Sequence, residues 1–314
     1  MPSSPRAFDD ELARALRRTH AESKRIILAV SGGSDSIAMM TACAALKLRL
    51  SLTLEVATVD HGLRTEAATE TAFVAAAAHT LGLTTHVLNL GLVPGSGTPE
   101  RARTARYEAL EQLCSERGFD LIATAHTASD QAETLLMRLG RGASLTGAAA
   151  IREQRGRLVR PLLGVTRAEV IAYLEARQLQ WVEDPTNADP HYLRTEVRTR
   201  LLPLYEELMG PGAAQRLAHF ARVAAEDGEL LDAQAIAGDD APTRDQLLNF
   251  TGPMRRRALR NWLLKLGLPV DGPLLEDVVQ AVIENRRATL PGDKVLELKG
   301  GVLAVVPAPP RSNG

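Results

Sequence analysis

The chain has 314 residues, 45% of them hydrophobic and only 4% aromatic, and its formal net charge is −1. This length accommodates two domains with a sizeable core, and the near-neutral charge excludes a uniformly basic nucleic-acid-binding protein, so any basic surface must be local. The polar start MPSSPRAFDD lacks the apolar run of a signal peptide, and no stretch approaches membrane-spanning length, so we expect a cytoplasmic protein without membrane association.

Strands and helices alternate along the first 140 residues. Apolar runs predict the strands, and helical periodicity predicts a helix after each of them. The predicted strands are Ile26–Val30, Leu52–Val59, Thr85–Leu90 and Asp120–Thr124. The predicted helices are Ser34–Leu48, Glu66–Leu81, Arg101–Arg117 and Asp130–Leu139. This alternation predicts an α/β fold with a doubly wound, mainly parallel, Rossmann-like sheet, and such sheets bind ligands at the carboxyl ends of their strands.

A different rhythm follows after Gly140. Thr166, with Glu169 three residues later, predicts a helix that begins with a capping box. A long, mostly polar helical stretch is predicted from about residue 213 to about residue 237, followed by two shorter helices and a hairpin that turns at Gly300 and Gly301. We therefore predict two domains, an α/β domain over residues 1–208 and, over residues 209–314, a helical linker with a smaller α+β domain.

The junction of the first predicted strand and helix reads SGGSDS. Its residues are Ser31, Gly32, Gly33, Ser34, Asp35 and Ser36. A helix start favours anions because of its unpaired amides and positive dipole end; glycines let the backbone approach a ligand closely, and hydroxyls add donors. The loop therefore predicts a phosphate cradle, although a tight turn with serine caps would explain two glycines alone. Asp35 favours a cradle with bound Mg²⁺, because a carboxylate beside phosphates is costly unless a metal bridges them.

The SGGSDS loop resembles the S-G-G-x-D-S loop of the N-type ATP pyrophosphatases, the PP-loop superfamily. Four further stretches follow in order: VDHGLR, ARTARYEAL, TAHTASDQAETLLMRLGRGASLTG and EDPTNADPHYLRTEVRTRLLP. Together they are similar to the tRNA(Ile)-lysidine synthetase family, and the resemblance predicts the short form of that family. Two positions depart from the family pattern, because Ser129 replaces the first Asp of D-D-Q and Thr195 replaces the Asn after Arg194.

The resemblance implies a ligase that modifies tRNA. ATP would adenylate O2 of the wobble cytidine in an isoleucine tRNA with a CAU anticodon; the ε-amine of L-lysine would then attack C2 and expel AMP, which yields lysidine. The implied co-substrate is ATP with Mg²⁺, the implied partners are L-lysine and this tRNA, and a homodimer is one assembly to test.

The resemblance, together with the position of each residue, implies the following roles. Catalytic roles fall to Asp35, Arg106, Asp130 and Glu133. Binding of ATP falls to Ser31, Gly32, Gly33, Ser34, Asp35, Ser36, Asp60 and His61. The lysine site consists of Asp130 and Glu133, and the Mg²⁺ ligand is Asp35. Contacts with tRNA fall to Arg64, Arg103, Arg194, Arg198, Arg255, Arg256 and Arg257.

A purely structural explanation stays open for most of these residues. Asp60 and His61 suit a polar strand end as well as a nucleoside site. Asp130, with Glu133 three residues later, suits a variant capping box as well as an acidic pocket for a cationic substrate. The dense run Arg255–Arg257 suits a solvated helix face as well as a surface that contacts phosphates.

Two alternative functions also stay open. The first is a PP-loop tRNA thiolation enzyme, which would need catalytic cysteines or a cluster. Cys43 and Cys114 lie within helical stretches and form no C-x-x-C pair, which argues against it. The second is a non-catalytic nucleotide-binding protein, against which the intact Asp35, Asp130 and Glu133 argue.

Overall fold

The computed structural model of the chain describes residues 4–60, 67–91, 98–183, 193–235 and 241–309. They belong to two compact units, Met1–Ala225 and Glu226–Gly314. This division lies inside one long helix, Ala213–Gln234, and the boundary placed after residue 208 stays a prediction. None of the helices in the described ranges is long and apolar enough to cross a membrane.

The first unit alternates strands and helices. Its strands are β1 (Arg25–Ala29), β2 (Thr53–Asp60), β3 (Thr84–Asn89), β4 (Leu121–Ala123), β5 (Gln154–Arg155) and β6 (Leu158–Val159). Its helices are α1 (Pro5–Arg18), α2 (Ser34–Leu46), α3 (Ala67–Thr80), α4 (Thr98–Glu116), α5 (Ala128–Leu139), α6 (Leu145–Ala148), α7 (Arg167–Ala176), α8 (Leu193–Glu196) and α9 (Leu202–Met209). A π-helical turn, Val197–Leu201, joins α8 to α9, and α10 (Ala213–Gln234) spans the division between the units.

The six strands form one sheet in the order β3-β2-β1-β4-β6-β5. All neighbouring pairs are parallel except β5 and β6, which are antiparallel. The prediction of a doubly wound, mainly parallel sheet is therefore confirmed. The chain leaves β1 towards β2 on one side and returns to β4 on the other, so the strand order reverses between β1 and β4. Ligands of such sheets bind at this switch point, outside the carboxyl ends of the strands.

Strand β1 shows why both faces of the sheet are covered. Its residues Ile26, Ile27 and Leu28 are all fully buried. Ile26 and Leu28 pack into the core that includes α1, α2 and α7, whereas Ile27 packs on the opposite face with Leu110 of α4. Successive side chains of a strand point to opposite faces, so a continuous apolar run is the pattern of a strand buried on both sides.

Helix α1 was not predicted, because the start of the chain was considered only for the absence of a signal peptide. Ser4 caps it by accepting a hydrogen bond from the Ala7 N–H, and Pro5 occupies its first turn. Its buried residues include Phe8, Leu12 and Leu16, which recur every four positions. That spacing was visible in the sequence and indicates a helix with one apolar face.

The second unit packs helices against a small antiparallel sheet. Its helices are α11 (Arg244–Asn249), α12 (Gly252–Lys265) and α13 (Gly272–Glu284), and its strands are β7 (Ala288–Leu290), β8 (Lys294–Lys299) and β9 (Val302–Pro307). The predicted α+β class and the hairpin are confirmed. Gly300 and Gly301 have φ angles of 58° and 82°, as a two-residue hairpin turn with two positive φ values requires.

Candidate active site

The SGGSDS loop lies between β1 and α2, at the switch point of the sheet. Gly33 is the N-cap of α2, and no side chain bonds the first amides of the helix. The Ser36 hydroxyl instead braces the loop from inside, because it donates to the Gly33 carbonyl at 2.9 Å and accepts from the Ser31 N–H at 3.2 Å. The loop is thus held in shape by its own serine, and the helix start stays available to an anion.

Gly32 is required by the backbone of this loop. Its φ of +90° is a conformation that side chains rarely adopt, and an added Cβ would lie 3.4 Å from Cγ2 of Val74. Its carbonyl also accepts a hydrogen bond from the Val182 N–H at 2.9 Å. Gly33 differs, because its φ is −70° and an added Cβ would meet only the Ser31 hydroxyl, at 3.7 Å. Only the first glycine is fixed by its backbone conformation, and Gly33 occupies the N-cap, a position that accepts glycine.

Asp35 lies in the first turn of α2 and is partly buried. Burial and the nearby charge of Asp130 raise its pKa to about 6, although Arg167, Arg198 and the Ser34 hydroxyl favour the ionised form. A carboxylate held at this cost is poised to gain from a bound cation. The structure therefore brings Asp35 and Asp130 into one electrostatic neighbourhood.

Two carboxylates and two guanidinium groups form a network at the start of α5. Nε of Arg194 donates to Oε2 of Glu133 at 2.8 Å, and its Nη2 donates to Oδ1 of Asp130 at 2.7 Å. Nε of Arg198 donates to Oε1 of Glu133 at 2.7 Å. The side chain of Glu133 is 1% exposed, whereas those of Arg194 and Arg198 are 40% and 30% exposed, so a buried carboxylate is paired with partly exposed arginines. Residues assigned separately to lysine and to tRNA thus contact one another directly.

A capping box begins α5, but it pairs Thr127 with Asp130 and not Asp130 with Glu133, which was the alternative from the sequence. Thr127 is the N-cap of α5, and Oδ2 of Asp130 accepts from both the N–H and the hydroxyl of Thr127 at 2.9 Å. Burial opposes ionisation, yet the Thr127 N–H and the Arg194 guanidinium hold the pKa of Asp130 below its usual value. One carboxylate oxygen therefore caps the helix while the other faces the arginines, so capping and a site role are compatible.

His126 follows β4 and lies between this network and α4. Burial lowers its pKa to about 4, with Arg160 and Arg103 adding to the effect, so the imidazole is neutral at pH 7. Its Nδ1 lies 3.1 Å from the Thr124 hydroxyl. On α4, Arg103 and Arg106 lie over the Tyr107 ring, with guanidinium carbons 5.1 and 5.4 Å from its centre.

The remaining predicted site residues are on β2, on α12 of the second unit, or outside the described ranges. Asp60 is the last residue of β2, also at the carboxyl edge of the sheet. His61 and Arg64 fall outside the described residues. The arginine run of α12 belongs to the second unit, where two of its members bind within the fold. Arg255 donates to the carbonyls of Leu247, Leu248 and Phe250, and Arg257 donates to the Gly228 carbonyl and to Asp232.

One residue near the site was missed by the sequence reasoning. Arg167, the first residue of α7, acts on Asp35 through its charge, and its N–H donates to the Ser129 hydroxyl at 3.3 Å. Ser129 thus tethers the start of α7 to the start of α5. The capping box of Thr166 and Glu169 was predicted correctly. Arg167 follows Thr166 directly, so it would have been a candidate if the starts of α5 and α7 had been expected at the same edge of the sheet.

Known proteins are similar to this chain over most of its length. The family model of the PP-loop domain matches residues 6–205. A tRNA(Ile)-lysidine synthase of Thermus thermophilus is 39% identical over 97% of this chain and 60% of its own length. A tRNA(Ile)-lysidine synthase of Salinispora arenicola is 35% identical over 95% of this chain and 97% of its own length.

The fold and the loop at its switch point are those of a PP-loop domain. Within that class, the chain belongs to the tRNA(Ile)-lysidine synthase family. It spans about 60% of the length of the Thermus relative. The U34-tRNA thiolase NcsA of Methanococcus maripaludis is similar in fold, with a TM-score of 0.58 and 15% identity over 70% of this chain and 79% of its own.

Proposed function

We propose that the chain synthesises lysidine in a CAU-anticodon isoleucine tRNA. O2 of the wobble cytidine attacks the α-phosphate of ATP and expels pyrophosphate; the ε-amine of L-lysine then attacks C2 and expels AMP. The observation that carries the proposal is the meeting of a phosphate cradle with a network of carboxylates and guanidinium groups at the carboxyl ends of β1 and β4. The names of the relatives that are 39% and 35% identical support it.

Membership of the ATP-utilising PP-loop family implies that the chain binds ATP. We place the β- and γ-phosphates on the loop Ser31–Ser36, because the first amides of α2 have no side-chain cap. Asp60, the last residue of β2, and His61 would face the nucleoside. This placement of the nucleoside is supported by the sheet order, because β2 is next to β1 and nucleotides in such folds lie across the strand ends at the switch point.

Asp35 would hold Mg²⁺ that arrives with ATP. Among the described residues, no three His, Cys, Asp or Glu side chains come together as a metal site. A nucleotide-borne Mg²⁺ fits this donor set, because it commonly takes one or two protein carboxylates and completes its shell with phosphate oxygens and water. When bound, the ion would neutralise charge that develops on the phosphates. Asp35 itself is ionised at neutral pH, since its pKa is about 6.

The lysine substrate would bind beside Asp130 and Glu133. Free lysine carries ammonium and carboxylate groups, and a network that contains both carboxylates and guanidinium groups offers partners to each. The ε-ammonium must lose a proton before it attacks C2, and a carboxylate within reach can accept that proton. Asp130 is the more accessible of the two, because its side chain is 16% exposed against 1% for Glu133, and both accept from arginines.

The arginines considered for tRNA binding differ in what they would do. Arg106, with Arg103, would contact phosphate near the reacting cytidine, since guanidinium forks match phosphate oxygens. Arg194 and Arg198 would act on tRNA indirectly, by holding the two carboxylates in place. In the second unit, Arg256 is the exposed member of the arginine run, and it pairs with Glu276 at 2.6 Å on the surface.

Thiolation chemistry is the main alternative, because a fold relative is a tRNA thiolase. Both cysteines are fully buried, and burial raises the pKa of the Cys43 thiol to about 12. The Cys114 pKa is raised as well, and its sulfur donates to the Phe119 carbonyl at 3.2 Å. Such thiols are poor nucleophiles and poor ligands for a cluster. Replacement of both by Ala should leave tRNA modification intact.

The proposal is tested by the co-substrate dependence of ATP cleavage. Formation of AMP should require both the CAU-anticodon isoleucine tRNA and lysine, whereas exchange of labelled pyrophosphate into ATP should require only the tRNA. Asp35→Ala should abolish both reactions. Release of AMP at an unchanged rate without tRNA, or by the Asp35 variant, would contradict the proposal.

A further inference from the structure

A buried arginine beside the site has no role in the account so far. Arg160 directly follows β6, which pairs with β4 and so ends at the same edge of the sheet. Its side chain is among the buried charged groups, with the residue 6% exposed. Nη1 donates to the Arg152 carbonyl at 2.8 Å, but Nε has no hydrogen-bond partner among the described residues. An unpaired donor on a buried charged group is costly and calls for an explanation.

The hydroxyl of Tyr107 is a second buried polar atom without a partner in the described part of the chain. It lies beside the Arg160 guanidinium, without the geometry of a hydrogen bond between them. Burial lowers the pKa of Arg160, and this hydroxyl favours its charged form. Two unused donors from different elements, α4 and the end of β6, therefore lie next to each other.

Positive charge accumulates around these two donors. Arg103 and Arg106 place their guanidinium groups over the ring of Tyr107, and Arg103 further disfavours the charge of Arg160. Within the described ranges, no carboxylate forms an ion pair with any of the three arginines. His126 is neutral and supplies no compensating charge. Several guanidinium groups around unused donors are the arrangement that binds an oxyanion.

We propose that Arg160 Nε and the Tyr107 hydroxyl donate to a phosphate oxygen, and that Arg103 and Arg106 complete this oxyanion site. The inference rests on the proposed function, which supplies two sources of the phosphate: the α-phosphate of ATP and a phosphodiester of tRNA. Strands lie about 4.8 Å apart, so the end of β6 is about 10 Å from the end of β1, where the cradle lies.

The test compares two Tyr→Phe variants. Tyr107→Phe removes a hydroxyl that has no hydrogen-bond partner among the described residues but favours the charge of Arg160, so the melting temperature should fall less than in the control variant. Ligand affinity should fall about tenfold, as expected for a lost hydrogen bond to a charged group. Tyr173→Phe is the matched control, because its hydroxyl donates to Asp9 at 3.0 Å within the core. That variant should lose melting temperature and keep its ligand affinity.

Affinity is measured separately for a non-hydrolysable ATP analogue with Mg²⁺ and for the CAU-anticodon tRNA transcript without nucleotide. A loss confined to the analogue assigns the phosphate to ATP. A loss confined to tRNA, with a shallower salt dependence, assigns it to the RNA backbone, and a loss in both means that both phosphates use the site. Arg160→Lys, which keeps the charge but lacks Nε, should reproduce whichever loss is found.

Affinities of Tyr107→Phe within twofold of wild type for both ligands would overturn the inference, whether or not Arg160→Lys folds. Both measurements are made without lysine and without turnover. A protein that never forms lysidine but shows the expected affinity loss would contradict the proposed function and leave this oxyanion site supported.

Discussion

Arg198 holds the buried carboxylate of Glu133 with two donors. Its Nε lies 2.7 Å from Oε1 and its Nη2 lies 3.2 Å from Oε2. The two residues are separated by 65 positions in sequence, so this pair ties the π-helical turn Val197–Leu201 to α5. The same carboxylate also accepts from Arg194, and the network is therefore both a structural tie and the candidate lysine site.

Replacing Glu133 by Gln should lower stability by about 1–3 kcal/mol, because three charge-assisted hydrogen bonds lose their anionic acceptor. A falling melting temperature is therefore expected whether or not the residue binds lysine. Separate kinetics of the two steps distinguish a structural role from a lysine-binding role. If Glu133 binds lysine, Glu133→Gln should still adenylate tRNA but should show a raised KM for lysine or slower lysine transfer.

Thr199→Ala is a suitable control for that experiment, because the Thr199 hydroxyl bonds only its own helical turn on the exposed side. A normal KM and normal turnover in both Glu133→Gln and Asp130→Asn would show that these carboxylates are structural and that lysine binds elsewhere.

Asp35 should make stability depend on pH. Its pKa is about 6 in the folded protein against an ordinary 3.8, so the folded state binds the proton more tightly. The contribution of Asp35 to stability is then fully present below about pH 4 and is lost as pH rises through about 6, a loss of about 2–3 kcal/mol. Asp35→Asn removes this cost. It should raise the melting temperature at pH 7.5 and change it little at pH 4, measured without nucleotide or Mg²⁺.

The exposed Asp10, which pairs with Arg49, serves as the control, and Asp10→Asn should give no gain at pH 7.5. Equal melting temperatures of wild type and Asp35→Asn at pH 7.5 would mean that Asp35 is not held at a raised pKa.

The sequence predicted several elements of both units well because their signals are local. Strand β1 is a short apolar run, α7 begins with the predicted capping box at Thr166, and the turn of the β8–β9 hairpin is a glycine pair. The SGGSDS loop and α5 each follow a parallel strand, and this alone was enough to predict that they lie at the same edge of the sheet.

Pairing between distant segments could not be predicted in the same way. No local pattern shows that Arg194 and Arg198 cross to Asp130 and Glu133, because ion pairs follow from tertiary placement. For the same reason, the arginine run of α12 looked uniform in sequence, whereas Arg257 turned inwards to Asp232.

Gly32 and Gly33 should respond differently to Ala. Gly32→Ala forces a side chain into a φ of +90°, so it should cost about 1–2 kcal/mol and distort the loop. Gly33 has an ordinary φ, so Ala fits its backbone. In Gly33→Ala the loss from a poorer N-cap and the gain from a less flexible unfolded chain should cancel, and the free energy of unfolding should change by no more than about 0.5 kcal/mol. ATP affinity should nevertheless fall in Gly33→Ala, because the new methyl group would meet the phosphates. Unchanged ATP affinity in a stable Gly33→Ala would exclude close approach of the ligand at this residue.

Arg256 and Arg257 should separate RNA binding from folding. Arg256→Ala removes an exposed ion pair, which contributes at most about 1 kcal/mol, and it should weaken tRNA binding and reduce the salt slope by about one. Arg257→Ala leaves Asp232 and the Gly228 carbonyl without their donor, so it should lower the melting temperature instead. If Arg256→Ala binds tRNA with the affinity and salt slope of the wild type, this part of α12 is only a solvated face.

Mass analysis of nucleosides tests the central claim most directly. The protein is incubated with ATP, Mg²⁺, isotopically labelled L-lysine and a CAU-anticodon isoleucine tRNA transcript, and the RNA is then digested to nucleosides. The account predicts one labelled lysidine at the wobble position per AMP released, and none when Asp35→Ala replaces the wild type. An unmodified cytidine after stoichiometric release of AMP, or a sulfur-containing nucleoside in a reaction supplied with a sulfur donor, would contradict it.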